Sequence, residues 1–190
     1  MPERMVSHWN IMGEADGYLP KFWALFIVPL ASLGLFALFV VIPKIDPLKN
    51  NIQKFRRYYD TFVVLLLCFL CYLGFLVIFW NFGMSFNMIQ ALAPALGLLF
   101  YYMGILTENA KRNWFIGIRT PWTLSNDDVW DKTHKLGGKL FKACGVLTAV
   151  GGFIFDKLAV FFILAPILVV TVYVTVFSYF EYKKQFSLVS

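Results

Sequence analysis

Long apolar stretches separated by short polar ones give this chain its pattern. Residues 22–42, 61–80, 88–107 and 158–180 hold no Asp, Glu, Lys or Arg. Each approaches or exceeds the roughly 20 apolar residues that a helix needs to cross the hydrocarbon core of a bilayer. A fifth stretch, 140–155, is shorter and glycine-rich, with Lys142 near one end, where a long side chain reaches the headgroups while its stem stays in lipid. None of the five alternates polar and apolar positions as a barrel strand does, and backbone in lipid must bond to itself. The pattern predicts an all-α protein, a polytopic α-helical membrane bundle of about five transmembrane helices.

The polar intervals carry helical signals of their own. Asp46 and Pro47 make a helix start, an acceptor followed by the imino acid that fits a first turn. Leu48, Ile52, Phe55 and Tyr59 then recur at three- and four-residue steps, with Lys49, Lys54, Arg56 and Arg57 mostly elsewhere. This predicts an amphipathic helix resting on the inner membrane surface. In the longest polar passage, 117–141, Thr120-Pro121 breaks any helix, and Ser125 with Asp128 forms an S-x-x-D box that predicts a new one beginning near Asn126. Asp127, Asp128 and Asp131 precede Lys132, Lys135, Lys139 and Lys142, the order the helix dipole favours. Trp130, Thr133, His134, Gly137 and Phe141 share a face of this capped interfacial helix, which should run on into the fifth apolar stretch. Trp114, Trp122 and Trp130 are expected at headgroup depth. These signals divide the chain into an N-terminal module, 1–107, and a second module, 108–190.

Composition and charge then fix class and orientation. Hydrophobic residues make up 59% of the chain and charged ones 15%, unlike a soluble domain. If the N-terminus lies outside, fourteen Lys and Arg fall in inner segments and only Arg4, Lys21 and Lys157 in outer ones. The positive-inside rule therefore predicts an outer N-terminus and a cytoplasmic C-terminus. The net charge of +6 is accounted for by topology and by attraction to an anionic leaflet, with no nucleic acid required. Residues 1–21 have no apolar core of the kind found in a cleavable signal.

Candidate chemistry is sparse. His134 has Asp131 three residues back and Asp127 seven back, a conceivable base and orienting carboxylate, but a nucleophile is lacking, although Ser125 and Thr133 are present. The two histidines fall on opposite sides of the membrane, which excludes a histidine metal cage. Cys68 and Cys71 form a CxxC inside an apolar helix, where thiols behave as small hydrophobes, and Cys144 stands alone. Pro29, Pro94 and Pro166 interrupt three spans and can kink them around a cavity or tune packing. Gly145, Gly151 and Gly152 permit close helix approach. Asp60, Glu108 and Glu181 lie at helix ends, which disfavours an ion channel or proton-coupled transporter. The residues predict no enzyme, cofactor or metal.

The block NWFIGIRTPWTLSNDDVWDKTHKLGGKLF, 113–141, closely resembles the hallmark segment of SdpI-type immunity proteins, N-x-x-x-G-I/L-R-T-P-W-T followed by W-x-K-T-H-x-x-G before a transmembrane helix. HWNIMGEADGYLPK, 8–21, is similar to the other module of that family, a small domain of unknown function with an H-W/F-N-x-x-G-x-x-D-G pattern. The resemblance spans nearly the whole chain. It implies protection against a secreted membrane-active peptide toxin of the SdpC type, and a receptor role in which a cytosolic transcriptional repressor is held at the membrane. It makes His8, Trp9, Asn10, Gly13, Asp16 and Gly17 outer candidates for sensing or fold maintenance. The inner functional surface becomes Arg119, Thr120, Pro121, Trp122, Ser125, Trp130, Lys132, Thr133, His134 and Gly137. Members of the family usually carry a further hydrophobic helix before the H-W-N stretch. Here either the chain belongs to a longer protein or that helix has been lost. The alternative function is a small-molecule or lipid transporter, a lipid-facing enzyme or a structural membrane subunit.

Overall fold

The computed structural model describes residues 1–155 and 158–187; Lys157 of the charge count lies outside them. In chain order the elements are β1 (Arg4–Trp9), β2 (Ala15–Pro20), α1 (Lys21–Ile45), α2 (Lys49–Lys54), α3 (Arg56–Asn81), α4 (Met88–Asn109), α5 (Pro121–Ser125), α6 (Asp127–Ile154) and α7 (Ala159–Ser187). Five helices are long and apolar enough to cross a membrane. At 22 to 29 residues the three of the second half run about 33–44 Å, more than a bilayer core. The protein is a mainly helical, multi-pass membrane protein.

Its tightest seam joins α4 and α6, which run antiparallel. Glycines recur at seven-residue intervals on both, Gly97 and Gly104 facing Gly145 and Gly138. A Cβ on Gly145 would lie 2.4 Å from the Tyr101 amide nitrogen, and one on Gly104 would lie 2.5 Å from the Gly138 carbonyl oxygen. Only backbones without side chains approach this closely, the usual way helices pack where lipid tails remove any hydrophobic drive between them. Gly151 and Gly152 continue the contact, against Phe162 of α7 and Ala93 of α4. Of the glycines expected to allow close approach, all three do so. Gly97, Gly104 and Gly138 complete the seam.

Four expectations are corrected. The H-W-N stretch, in a chain expected to hold no strand, is a β-hairpin, antiparallel from Arg4↔Pro20 to Trp9↔Ala15. The apolar stripe of Leu48, Ile52, Phe55 and Tyr59 does not lie on a membrane surface. The helix breaks at Phe55, between α2 and α3, and Ile52, Phe55 and Tyr59 are buried against Leu106, Ala110, Ile116 and Trp130. The periodicity marked a covered face, and protein covers it. Lys142 does not reach for headgroups, because its Nζ lies 2.8 Å from a carboxylate oxygen of Glu108 across the α4–α6 seam. Ser125 caps nothing: it ends α5, its Oγ donating to the Trp122 carbonyl oxygen at 3.0 Å, and Asn126 caps α6, accepting from the amides of Asp128 (2.8 Å) and Val129 (3.1 Å). Thr120 and Pro121 had already used the preceding residues to start α5. As expected, α6 continues without interruption into the fifth span.

Candidate functional site

The candidate residues assemble at opposite ends of the bundle. At the hairpin end, Asn10 builds the turn, its Oδ1 accepting from the amides of Met12 (2.9 Å) and Glu14 (3.1 Å). Gly13 follows with φ +78°, a conformation that L side chains avoid, and a Cβ there would strike the amide group of Asn87. Gly17 faces His8, where a Cβ would meet the histidine Cβ at 2.8 Å. Trp9 stands edge-on to Trp80 of α3, centroids 5.9 Å apart. The His8 imidazole faces the Asp16 carboxylate at 2.5 Å, both exposed, so the pair adds little to stability.

Two residues the sequence reading passed over seat this hairpin. Asn81, at the end of α3, accepts from the Val6 amide at 2.8 Å and donates to the Val6 carbonyl oxygen at 3.0 Å, mimicking a further strand. Asn87, the N-cap of α4, donates to the Met12 carbonyl oxygen at 3.2 Å. Asn81→Ala is expected to cost about 1–3 kcal/mol locally, releasing the hairpin while the helices persist. Limited proteolysis should then cut within residues 1–20 at least tenfold faster than in the parent, with the thermal midpoint of the bundle little changed.

At the other end, 110–126 folds back over the helix ends and is held by side chains that bond backbone. Buried Asn113 engages four groups: it donates to the carbonyl oxygens of Lys111 (2.8 Å) and Ile116 (2.9 Å) and accepts from the amides of Phe115 (2.9 Å) and Ile116 (2.6 Å). Asp46, also buried, accepts from Leu48 at 2.6 Å and from Trp114 at 2.9 Å, so one carboxylate ties the segment between α1 and α2 to this one. Gly117 turns with φ +109° directly against His134, where a Cβ would lie 2.4 Å from Nε2. Neither Asp46 nor Gly117 was singled out as a site residue, although both lie in polar passages bounded by spans.

His134 is part of this lock. Its Nε2 accepts from the Ile118 amide at 3.0 Å, which requires that nitrogen to be unprotonated, and Nδ1–H donates to the Trp130 carbonyl oxygen at 2.8 Å. The ring also stacks on the Trp130 indole, 3.8 Å between centroids. Both ring nitrogens are thus committed to backbone, and the two aspartates proposed as partners lie elsewhere. Asp131 faces Lys111 at 3.5 Å and Asp127 faces Arg112 at 2.9 Å. The conceivable base and orienting carboxylate around His134 are not assembled.

The remaining candidates divide into buried and exposed. Trp130, expected at headgroup depth, is fully buried, its Nε1 donating to the Ala110 carbonyl oxygen at 2.8 Å, because its face of α6 turns toward α3 and α4. Thr120 closes a capping box with Thr123 and meets Ser178 of α7 at 3.1 Å. Gly137 receives Ile118, and Thr133 is buried with a hydroxyl that has no partner among the described residues. Trp122 packs edge-on to Tyr179, and Pro121 occupies the first turn of α5. Lys132 reaches buried Glu181 of α7 at 3.1 Å, as does Lys184 at 2.7 Å. Arg119 is exposed; one guanidinium nitrogen donates to the Trp114 carbonyl oxygen at 2.8 Å, and no carboxylate pairs with it among the described residues.

Residues 109–179 match the SdpI/YfhL protein family, and residues 1–33 match DUF1648, a domain of unknown function. Over 184 residues the chain is 26% identical to "Immunity protein SdpI" of Bacillus subtilis (strain 168), an alignment covering 97% of this chain and 86% of that protein. No solved structure matches.

Proposed function

We propose that the chain, whose residues 109–179 match the SdpI/YfhL protein family, is a membrane immunity protein that protects its host from a secreted peptide toxin of the SdpC type, without enzymatic chemistry. The observation that carries the proposal is that one helix touches both candidate surfaces. The N-cap of α4 holds the hairpin through Asn87, and the residue that closes its other end, Ala110, accepts from Trp130 beside His134. Toxin at the hairpin end would shift α4 against α6, and the 110–126 lock would report that shift to a cytosolic repressor held at the membrane. In this reading the hairpin faces outside and the lock faces the cytoplasm, in line with the distribution of lysine and arginine.

The test is survival of a sensitive host expressing this chain under challenge with an SdpC-type toxin. Protection by the parent, lost in Arg119→Ala at equal membrane abundance, is the expected result. An absence of protection by well-inserted parent protein would turn the reading toward a transporter or structural subunit. Orientation is checked separately with single cysteines in a background lacking Cys68, Cys71 and Cys144. A membrane-impermeant thiol reagent applied to intact cells should label Ser7→Cys and leave Lys139→Cys unlabelled until the cells are opened.

A further inference from the structure

Beside the lock lies a cavity of about 400 Å³ walled by α1, α3, α4, α6, α7 and the 115–120 segment. Its rim carries exposed Phe115, Arg119 and Thr171, so it opens at the surface of the bundle. The walls look mixed in composition but are apolar in chemistry, because every hydroxyl on them is already bonded within the protein. Tyr59 donates to the Phe39 carbonyl oxygen, Thr107 to Met103, Thr171 to Ile167 and Thr175 to Thr171, and Thr120 is engaged by Thr123 and Ser178. No acidic side chain lines it, and Arg119 is its single charge.

We propose that this cavity binds one anionic phospholipid, an acyl chain lying among Phe39, Phe62, Met103 and Val174 and the phosphate resting on the Arg119 guanidinium. Three observations select this occupant. The wall hydroxyls are already bonded within the protein, so a peptide entering the cavity would find few side-chain partners for its backbone amides, whereas a hydrocarbon chain asks for none. Arg119 has one nitrogen fixed by the Trp114 carbonyl oxygen and no carboxylate to neutralise it, which leaves the rest of a planar donor fork for a phosphate. The opening lies among membrane-spanning helices, where phospholipid is the surrounding medium, and basic pockets between such helices are known headgroup sites.

The experiment is native mass spectrometry of the full chain in detergent, titrated with phosphatidylglycerol or with phosphatidylcholine of the same chains. The parent should retain one phosphatidylglycerol in preference to phosphatidylcholine. Arg119→Gln should reduce that retention at least about fivefold, the weight of one cation at a headgroup, while Lys139→Gln, an exposed lysine away from the cavity, leaves it unchanged. Thr171→Trp, which lays a ring across the opening, should abolish it, with elution volume and thermal midpoint confirming that each variant is folded. Equal retention of both lipids, indifference to Arg119→Gln, or undiminished binding in Thr171→Trp would overturn the proposal. Displacement of the lipid by an amphipathic peptide at equal concentration would overturn it in favour of a peptide site. None of these readings depends on toxin, so the proposal fails or stands apart from the immunity function.

Discussion

Gly145→Leu should abolish recovery of a monodisperse protein. The first new carbon alone would lie 2.4 Å from the Tyr101 amide nitrogen and 2.5 Å from the Gly97 carbonyl oxygen, both backbone atoms on a facing helix. Neither can rotate away as a side chain would, so α4 and α6 must separate along their length. Overpacking a core ordinarily costs about 1–3 kcal/mol, and forcing two backbones apart exceeds that range. Against a total stability of about 5–15 kcal/mol, the bundle is expected to aggregate on solubilisation or to melt at least 10 °C lower. Gly34→Ala is the matched control, since a Cβ there meets nothing within 4 Å. It should be neutral or slightly stabilising, in keeping with the better helix propensity of alanine. A Gly145→Leu protein that elutes and melts like the parent would refute the seam.

Asn113→Ala should have the second largest effect. One side chain satisfies two amides and two carbonyl oxygens within a turn that is otherwise without regular structure. Alanine leaves these groups buried and unbonded at about 1–3 kcal/mol each, less whatever water can recover, so a total of roughly 3–5 kcal/mol is expected. The damage should be local at first: amide exchange at Phe115, Ile116 and Ile118 accelerates, and His134 loses its acceptor contact as 117–118 drifts. Asn113→Asp should not restore the parent, because a carboxylate turns two donors into acceptors that face the carbonyl oxygens of Lys111 and Ile116. If Asn113→Asp exchanged as slowly as the parent, the four-way role of this amide would be wrong.

The five spans were legible because lipid imposes a length and a composition on any helix that crosses it, and the apolar runs record both. The continuity of α6 was legible for a related reason, since nothing between Asn126 and the glycine-rich stretch breaks a helix. What local pattern could not show was which surface each polar segment would meet. The stripe of Ile52, Phe55 and Tyr59 reads the same whether protein or headgroups cover it. The hairpin lacks the alternation of an independent strand pair, and the residues that complete it, Asn81 and Asn87, lie some 75 positions away. At Ser125 and Asn126 two adjacent residues both fit an N-cap, and the choice was settled upstream by Thr120 and Thr123. Of the candidate site, His134 and Trp130 were visible as one helical face. Asp46 was read only as a helix start, and its bond to Trp114 arises from packing.

That bond has a consequence for biogenesis. Chains fold as they are made, N-terminal parts first, yet here the first polar segments find their partners late. Val6 waits for Asn81, and the Asp46 carboxylate is without one of its two amides until Trp114 has been synthesised, 68 residues afterwards. A ribosome stalled before residue 81 would therefore expose an unseated hairpin, and one stalled before residue 114 would leave the 46–55 segment open to proteases. Protease resistance should therefore follow the order of the early chain but lag well behind its synthesis, the hairpin closing at Asn81 and the 46–55 segment only at Trp114.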